Sequence, residues 1–217
     1  MEQYSAPALE KGLDILELLS EHAGGLSQSE IAEATGRSVG QIFRVLATLE
    51  RRGYVARDPQ SGLYGFSMRV FDLAHRHPPL RGLIAAATPA MRELADRVRQ
   101  SCNLSVLDAG AVRVIAQVES PADFGFMVRV GAVFAADETA TGAVLTVYTD
   151  EVVVRPDALQ EGITDVVVPI RDGVRTVAAL TVPYVATTFS AVDAGVVRDA
   201  AVETAAQISR RLQGDSQ

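Results

Sequence analysis

The chain has 217 residues, 48% hydrophobic and 22% charged, enough for one large or two small packed domains and unlike a disordered chain. No stretch approaches the roughly 18 uninterrupted apolar residues of a membrane span, and the start lacks a basic segment followed by an apolar one, so no secretion signal is expected. A single cysteine, Cys102, excludes an internal disulfide and a thiolate zinc cluster, and a reducing cytoplasm is the expected location.

The net charge of −7 looks unsuited to binding a polyanion, but its distribution is uneven. From Arg37 to Arg76 seven arginines face three acids, a local balance of +4, whereas from Pro78 onward twelve basic residues face seventeen acidic ones. The charge of the contact region, not of the whole chain, sets the electrostatic part of nucleic-acid affinity.

In chain order, ALEKGLDILELLS (8–20) spaces Leu9, Leu13 and Leu16, with Ile15 and Leu19, at three and four residues, which predicts an amphipathic helix. Ser27-Gln28-Ser29-Glu30 reads as a capping box opening a short helix to Thr35, and Gly36 supplies a left-handed turn residue. Ser38 is placed to cap the next helix, which runs to Gly53 with Ile42, Val45, Leu46 and Leu49 on one face. Gln41, Arg44, Thr48 and Arg51 share another face, where an amide and guanidinium groups can meet base edges in a major groove. Helix, glycine-containing turn and helix together are a helix-turn-helix pattern. The next segment, GYVARDPQSGLYGF, alternates around a turn-rich tip and predicts two short strands, the wing of a winged helix, with Arg57 available to a phosphate.

These segments resemble the IclR family of bacterial transcriptional regulators: ALEKGLDILELLSE, LSQSEIAEATGRSVGQIFRVLATLERRGYV, and Leu63 to Phe66 in the returning wing strand. The family opens its recognition helix with lysine-serine-threonine and places an arginine three residues after the threonine. Here Val39-Gly40-Gln41 replaces the opening run and Arg44 keeps the arginine, which suggests a different operator sequence. Gly40 gives up side-chain contacts and costs roughly 1 kcal/mol of helix propensity relative to alanine. The resemblance implies a DNA-contacting set of Ser27, Gln28, Arg37, Ser38, Val39, Gly40, Gln41, Arg44, Thr48, Arg51 and Arg57. In it Gln41 and Arg44 read bases, while Ser27, Gln28, Ser38, Arg51 and Arg57 mostly position the backbone.

The expected organisation is a winged helix-turn-helix over 1–66, a linker helix within 67–79 ending at Pro78-Pro79, and a second domain over 80–217. In that domain Thr88-Pro89 reads as the start of a helix, PAMRELADRVRQS. NLSVLD and VRVIAQVE flank a turn at Ala109-Gly110, FMVRV reads as a further strand, and DVVVPIRDGVRTVAALTV reads as a hairpin around Asp172-Gly173. The terminal segment AVDAGVVRDAAVETAAQISRRL reads as a helix. Helices flanking an antiparallel sheet make an α+β domain.

By resemblance this second domain is GAF-like and holds a small effector, often one bearing a carboxylate. Its pocket corresponds to Thr139, Ala140, Thr141 and Gly142, to the segment Gly162 to Asp165, and to Thr181. Two departures stand out. Between Tyr148 and Arg155 the chain lacks roughly forty residues that the family carries, a count taken from the resemblance alone. Asp165 occupies a position where the family has cysteine, and its negative charge would repel an effector carboxylate, with Arg155 placed to offset it. The sequence therefore points to an altered site, for a neutral or cationic ligand or for none.

No catalytic constellation is legible, and no cofactor or metal is expected. His22, His75 and His77 do not share a helix face with a partner ligand, Cys102 has no neighbouring histidine, and no glycine-rich phosphate loop follows a strand. The expected function is ligand-modulated binding of double-stranded DNA at a near-palindromic operator, by a homodimer or homotetramer. The alternative is a constitutive DNA-binding protein whose second domain serves only oligomerisation or partner docking.

Overall fold

The computed structural model describes residues 6–76, 78–123, 125–147, 151–156, 160–186 and 192–214; His77, one of the linker histidines, lies outside them. The chain divides into two compact units, 1–78 and 79–217.

The first unit is built on three helices, α1 (Pro7–Ser20), α2 (Gln28–Ala34) and α3 (Val39–Arg51). The capping box at Ser27 is formed as a reciprocal pair: the Glu30 amide donates to Ser27 Oγ (3.3 Å) and the Ser27 amide to Glu30 Oε2 (2.7 Å). These bonds hold the fully exposed Glu30 carboxyl below its ordinary range, Ser27 being the first cause. Gly36, at φ +63°, makes the left-handed turn into α3 that a side chain would strain. Ile15 and Leu19 of α1, Ile31 and Ala32 of α2, and Ile42 and Leu46 of α3 form the core with Val55 and Tyr64. The α1 expectation needs a correction: Leu9 and Leu13 are 62% and 49% exposed, and the buried stripe is Gly12, Ile15 and Leu19. The apolar arc of α1 is wider than the surface its neighbours cover, so spacing alone did not select which part is buried.

Two short strands, β1 (Val55–Arg57) and β2 (Tyr64–Phe66), pair antiparallel as the wing, and Leu26 bridges to Tyr64 as a third short partner. At the tip, Asp58 Oδ1 accepts from the amides of Gln60 and Ser61 and from the Ser61 hydroxyl. A short helix, α4 (Arg69–Arg76), follows the wing.

The second unit opens with α5 (Pro78–Val98), whose leading prolines occupy positions with no intrahelical donor to lose. Thr88-Pro89 does not start this helix, as its sequence suggested. Pro89 lies within α5, and the Thr88 hydroxyl donates to the Ile84 carbonyl at 2.7 Å. The helix continues through the proline because Leu83, Ala87, Ala90, Met91, Leu94 and Val98 are all buried in the domain core.

Six strands form one sheet in the order β5-β4-β3-β8-β7-β6, with every neighbouring pair antiparallel. They are β3 (Cys102–Asp108), β4 (Ala111–Val118), β5 (Val133–Ala135), β6 (Val153–Pro156), β7 (Ile163–Asp172) and β8 (Arg175–Val185). Ala109 and Gly110 take positive φ in the two-residue β3–β4 turn, the geometry such hairpins favour. FMVRV is not a strand; the edge position is taken by β5, further along the chain.

Side chains alternate across this sheet. Leu104, Val166, Val168, Ala178, Leu180 and Val182 face a core shared with α5 and with the C-terminal helix α7 (Ala194–Gly214). Cys102 belongs to that core; its thiol meets the Met91 carbonyl at 3.4 Å, and burial pushes its pKa up to about 12. On the opposite face, Val167 and Ala179 pack against Ala140 and Val144 of a short helix, α6 (Ala140–Thr146).

Candidate nucleic-acid interface and ligand cavity

Burial of Ile42 and Leu46 fixes how α3 is rotated: Gly40, Gln41, Arg44, Thr48 and Arg51 are all exposed, as are Val39 and Phe43. These side chains are not equally available. The Gln41 carbonyl oxygen accepts a long 3.4 Å bond from the Ser38 amide, and the Thr48 hydroxyl donates to the Arg44 carbonyl at 3.0 Å. Among the described residues, the guanidinium groups of Arg44 and Arg51 make no hydrogen bond or ion pair. Phe43, 56% exposed, was not singled out from the sequence.

Around α3 the expected backbone contacts also carry structural duties. Ser27 closes its capping box, and the Gln28 amide group donates to the Val39 carbonyl at 3.1 Å, tying α2 to the start of α3. Arg37 is held by Asp14 of α1 at 2.6 Å, with its guanidinium largely covered, so its first role is to join two helices. Arg57 donates to the Gly62 carbonyl at 3.2 Å, and its guanidinium sits 5.4 Å from the centre of the Tyr64 ring, which stiffens the wing.

In the second unit, the α6 face of the sheet contains a cavity of about 450 Å³, its open mouth included. Of the expected effector residues, Thr139, Thr141, Asp165 and Thr181 line it. Ala140 and Gly142 are buried in the packing of α6 instead, and Arg155 is exposed on the edge strand β6. The wall also includes Asn103 and Ser105 of β3, Val112 and Val114 of β4, Phe126, Val128, Phe134, Gln160, Ile163 and Pro183. Sequence reading missed Asn103 and Ser105 because a polar residue at every second strand position reads equally well as a solvent face. Their alternation with Cys102 and Leu104, both fully buried, was the available signal.

Most of the polar groups here already have partners. The Thr141 and Thr181 hydroxyls bond each other at 3.0 Å, the Ser105 hydroxyl donates to Asn103 Oδ1 at 3.1 Å, and Thr139 Oγ1 accepts from the Gly142 amide at 2.9 Å. Asp165 differs: it is 5% exposed, and among the described residues no hydrogen bond or ion pair reaches its carboxylate. Burial raises its pKa above the ordinary aspartate value of 3.8, and the positive charge of Arg155, its register partner on β6, partly opposes that shift. Because the folded-state pKa lies above the unfolded one, ionising Asp165 destabilises the fold. The penalty is complete above the folded pKa and absent below the unfolded one. Asp165→Asn is therefore expected to raise the melting temperature at pH 7, with the gain shrinking as the pH falls toward 3.8. Parallel melting curves with an unchanged gap at every pH would show that the charge is not the cause.

No group of three or more metal-ligating side chains occurs among the described residues, and no helix there is long and apolar enough to cross a membrane.

Two family models match the chain: the IclR helix-turn-helix domain over residues 8–59 and the bacterial transcriptional regulator IclR C-terminal domain over 80–156. The chain is 26% identical over 200 residues to the glycerol operon regulatory protein of Streptomyces coelicolor, covering 76% of this chain and 79% of that one. It is 27% identical over 146 residues to the transcriptional regulator KdgR of Dickeya chrysanthemi, covering 67% of this chain but 48% of the relative. Among solved structures, it is similar to an IclR homolog from Microbacterium hydrocarbonoxydans complexed with 4-hydroxybenzoate, with a TM-score of 0.78 at 18% identity, covering 95% and 99% of the two chains. The IclR of Thermotoga maritima gives a TM-score of 0.71 at 21% identity, covering 94% and 98%. With a winged helix-turn-helix in its first unit, a cavity-bearing α+β domain in its second and an IclR match in each, the chain belongs to the IclR family of bacterial transcriptional regulators.

Proposed function

We propose that this chain is a cytoplasmic regulator that binds double-stranded DNA through α3 and the wing and adjusts that binding to a small effector held in the C-terminal cavity. The observation carrying the DNA half is the division of α3 into a buried apolar side and an exposed side bearing Gln41, Arg44, Thr48 and Arg51. Ser27, Gln28, Ser38 and Arg57 support it by fixing the frame from which α3 and the wing meet the phosphates. For the effector half, support comes from the cavity itself, lined by Thr139, Thr141, Asp165 and Thr181. A homodimer or homotetramer would set two recognition helices on a near-palindromic operator, with half-sites about one helical turn or a multiple of it apart.

Fluorescence anisotropy tests this with DNA from upstream of the chain's own gene and with scrambled DNA, at two salt concentrations. Tighter binding of the native fragment, persisting at higher salt, is expected of a sequence-specific regulator. Equal and steeply salt-sensitive binding to both would leave only the electrostatic contribution and overturn recognition of that fragment. DNA affinity that no small molecule alters would favour a constitutive binder whose second domain only assembles or docks.

A further inference from the structure

We infer that the effector of this chain is a small organic cation, a protonated amine on an apolar body, with the Asp165 carboxylate as its counter-ion. This rests on the reading of the cavity as the effector site and goes beyond it by naming the ligand's chemistry.

Three observations converge. Asp165 is the charged side chain in the cavity wall, 95% buried, and it has no partner among the described residues. A buried carboxylate left unpaired is costly, and cavities that retain one gain most from a ligand that supplies the missing charge. Among the described residues, no lysine, arginine or histidine lines the cavity. A ligand carboxylate would therefore meet the negative charge of Asp165 in the wall, with the positive charge of Arg155 acting only from outside the lining. Finally, the hydroxyls of Thr141 and Thr181 bond each other and the Ser105 hydroxyl bonds Asn103 Oδ1, so Asp165 is, among the described residues, the wall group that is both charged and unpartnered. Phe126 and Phe134 add apolar wall to the same cavity, suited to the body of an amine.

Arg155 is the rival counter-ion. It stands opposite Asp165 in the β6–β7 register, so both side chains leave the sheet on the same side. It is nevertheless exposed, and no ion pair joins the two among the described residues. Its charge acts on Asp165, but its side chain is not part of the cavity lining.

The test compares binding to the full chain by calorimetry at pH 7, using two matched trios: benzylamine, benzyl alcohol and benzoate, and hexylamine, hexanol and hexanoate. At least one amine is expected to bind, more tightly than its alcohol and its carboxylate. Asp165→Asn should weaken that amine by about tenfold or more while the variant still folds. Arg155→Gln, which alters an exposed residue, should leave the amine bound as tightly or more so. Preference for benzoate or hexanoate, or an amine affinity unchanged in Asp165→Asn, would overturn the cation assignment while leaving the cavity an effector site. If neither trio binds and no compound of a broader neutral and anionic thermal-shift panel does, the effector reading fails with it.

Discussion

Gly142→Ala is expected to destabilise the second unit by roughly 3 kcal/mol or more, at the upper end of what overpacking a core does. A Cβ at Gly142 would lie 1.9 Å from the Ala136 carbonyl oxygen and within 2.6 Å of the Ala136 carbonyl carbon and Cα. Those are backbone atoms, so no rotamer change can relieve the clash. Either α6 must withdraw from the turn that carries Ala136, or that turn must move. The first option would pull Ala140 and Val144 from Val167 and Ala179, and the second would displace Thr139, the N-cap of α6 and part of the cavity wall. Thermal or urea unfolding of the two units should separate the effect: the transition belonging to the second unit falls, while that of the helix-turn-helix unit stays in place. A Gly142→Ala protein as stable as the original would mean that α6 does not pack against this turn in solution.

The same residue illustrates what the sequence could and could not disclose. The run Thr139 to Gly142 was picked out as cavity-lining through family resemblance, yet only its two threonines reach the cavity, while Ala140 and Gly142 serve packing. A resemblance transfers a segment; which of its side chains face the ligand depends on how the segment folds. In the first unit the reading went further, because its signals are local. A capping box, a left-handed glycine and a 3.6-residue apolar period each act within a few residues of one another, and the helices and wing follow from them. Where several elements compete for one surface, locality fails. The apolar arc of α1 did not reveal that Ile15 would be buried and Leu9 exposed, and Pro89 signalled a helix start that the buried face of α5 overrode. The partnership of Arg37 with Asp14 joins residues from different helices and left no trace in the spacing.

Asp165 lies between these cases. Its identity was visible as a departure from the family's cysteine, but its meaning came from burial and the lack of a partner. Keeping an unpaired carboxylate in a cavity wall lowers stability in the absence of ligand, and that same strain gives a cationic ligand its leverage. Binding that relieves it favours the conformation in which the charge is covered, and an effector can shift a regulator only by such a difference in affinity between states.

For DNA, the residue with the largest expected effect is Arg44. Gln41 already receives a bond from the start of its own helix, and the Thr48 hydroxyl is turned back onto the backbone. Arg51 also has an unengaged guanidinium among the described residues but lies at the last residue of α3, further from the end that a recognition helix directs at base edges. Arg44 is exposed, unpartnered among the described residues, and in the first half of the helix. Arg44→Ala is expected to cost about 1–3 kcal/mol of operator affinity and to relax preference at one base pair, as loss of a bidentate guanine contact does. Because the side chain packs against nothing in the core, unfolding stability should change by no more than about 0.5 kcal/mol. Arg51→Ala, by contrast, should weaken binding to all sequences alike and reduce the salt slope by about one. Binding measured against a set of single-base operator variants separates the two patterns. A uniform loss in Arg44→Ala would make Arg44 a phosphate contact and move base reading to Gln41 and Phe43, the exposed side chains flanking the buried Ile42.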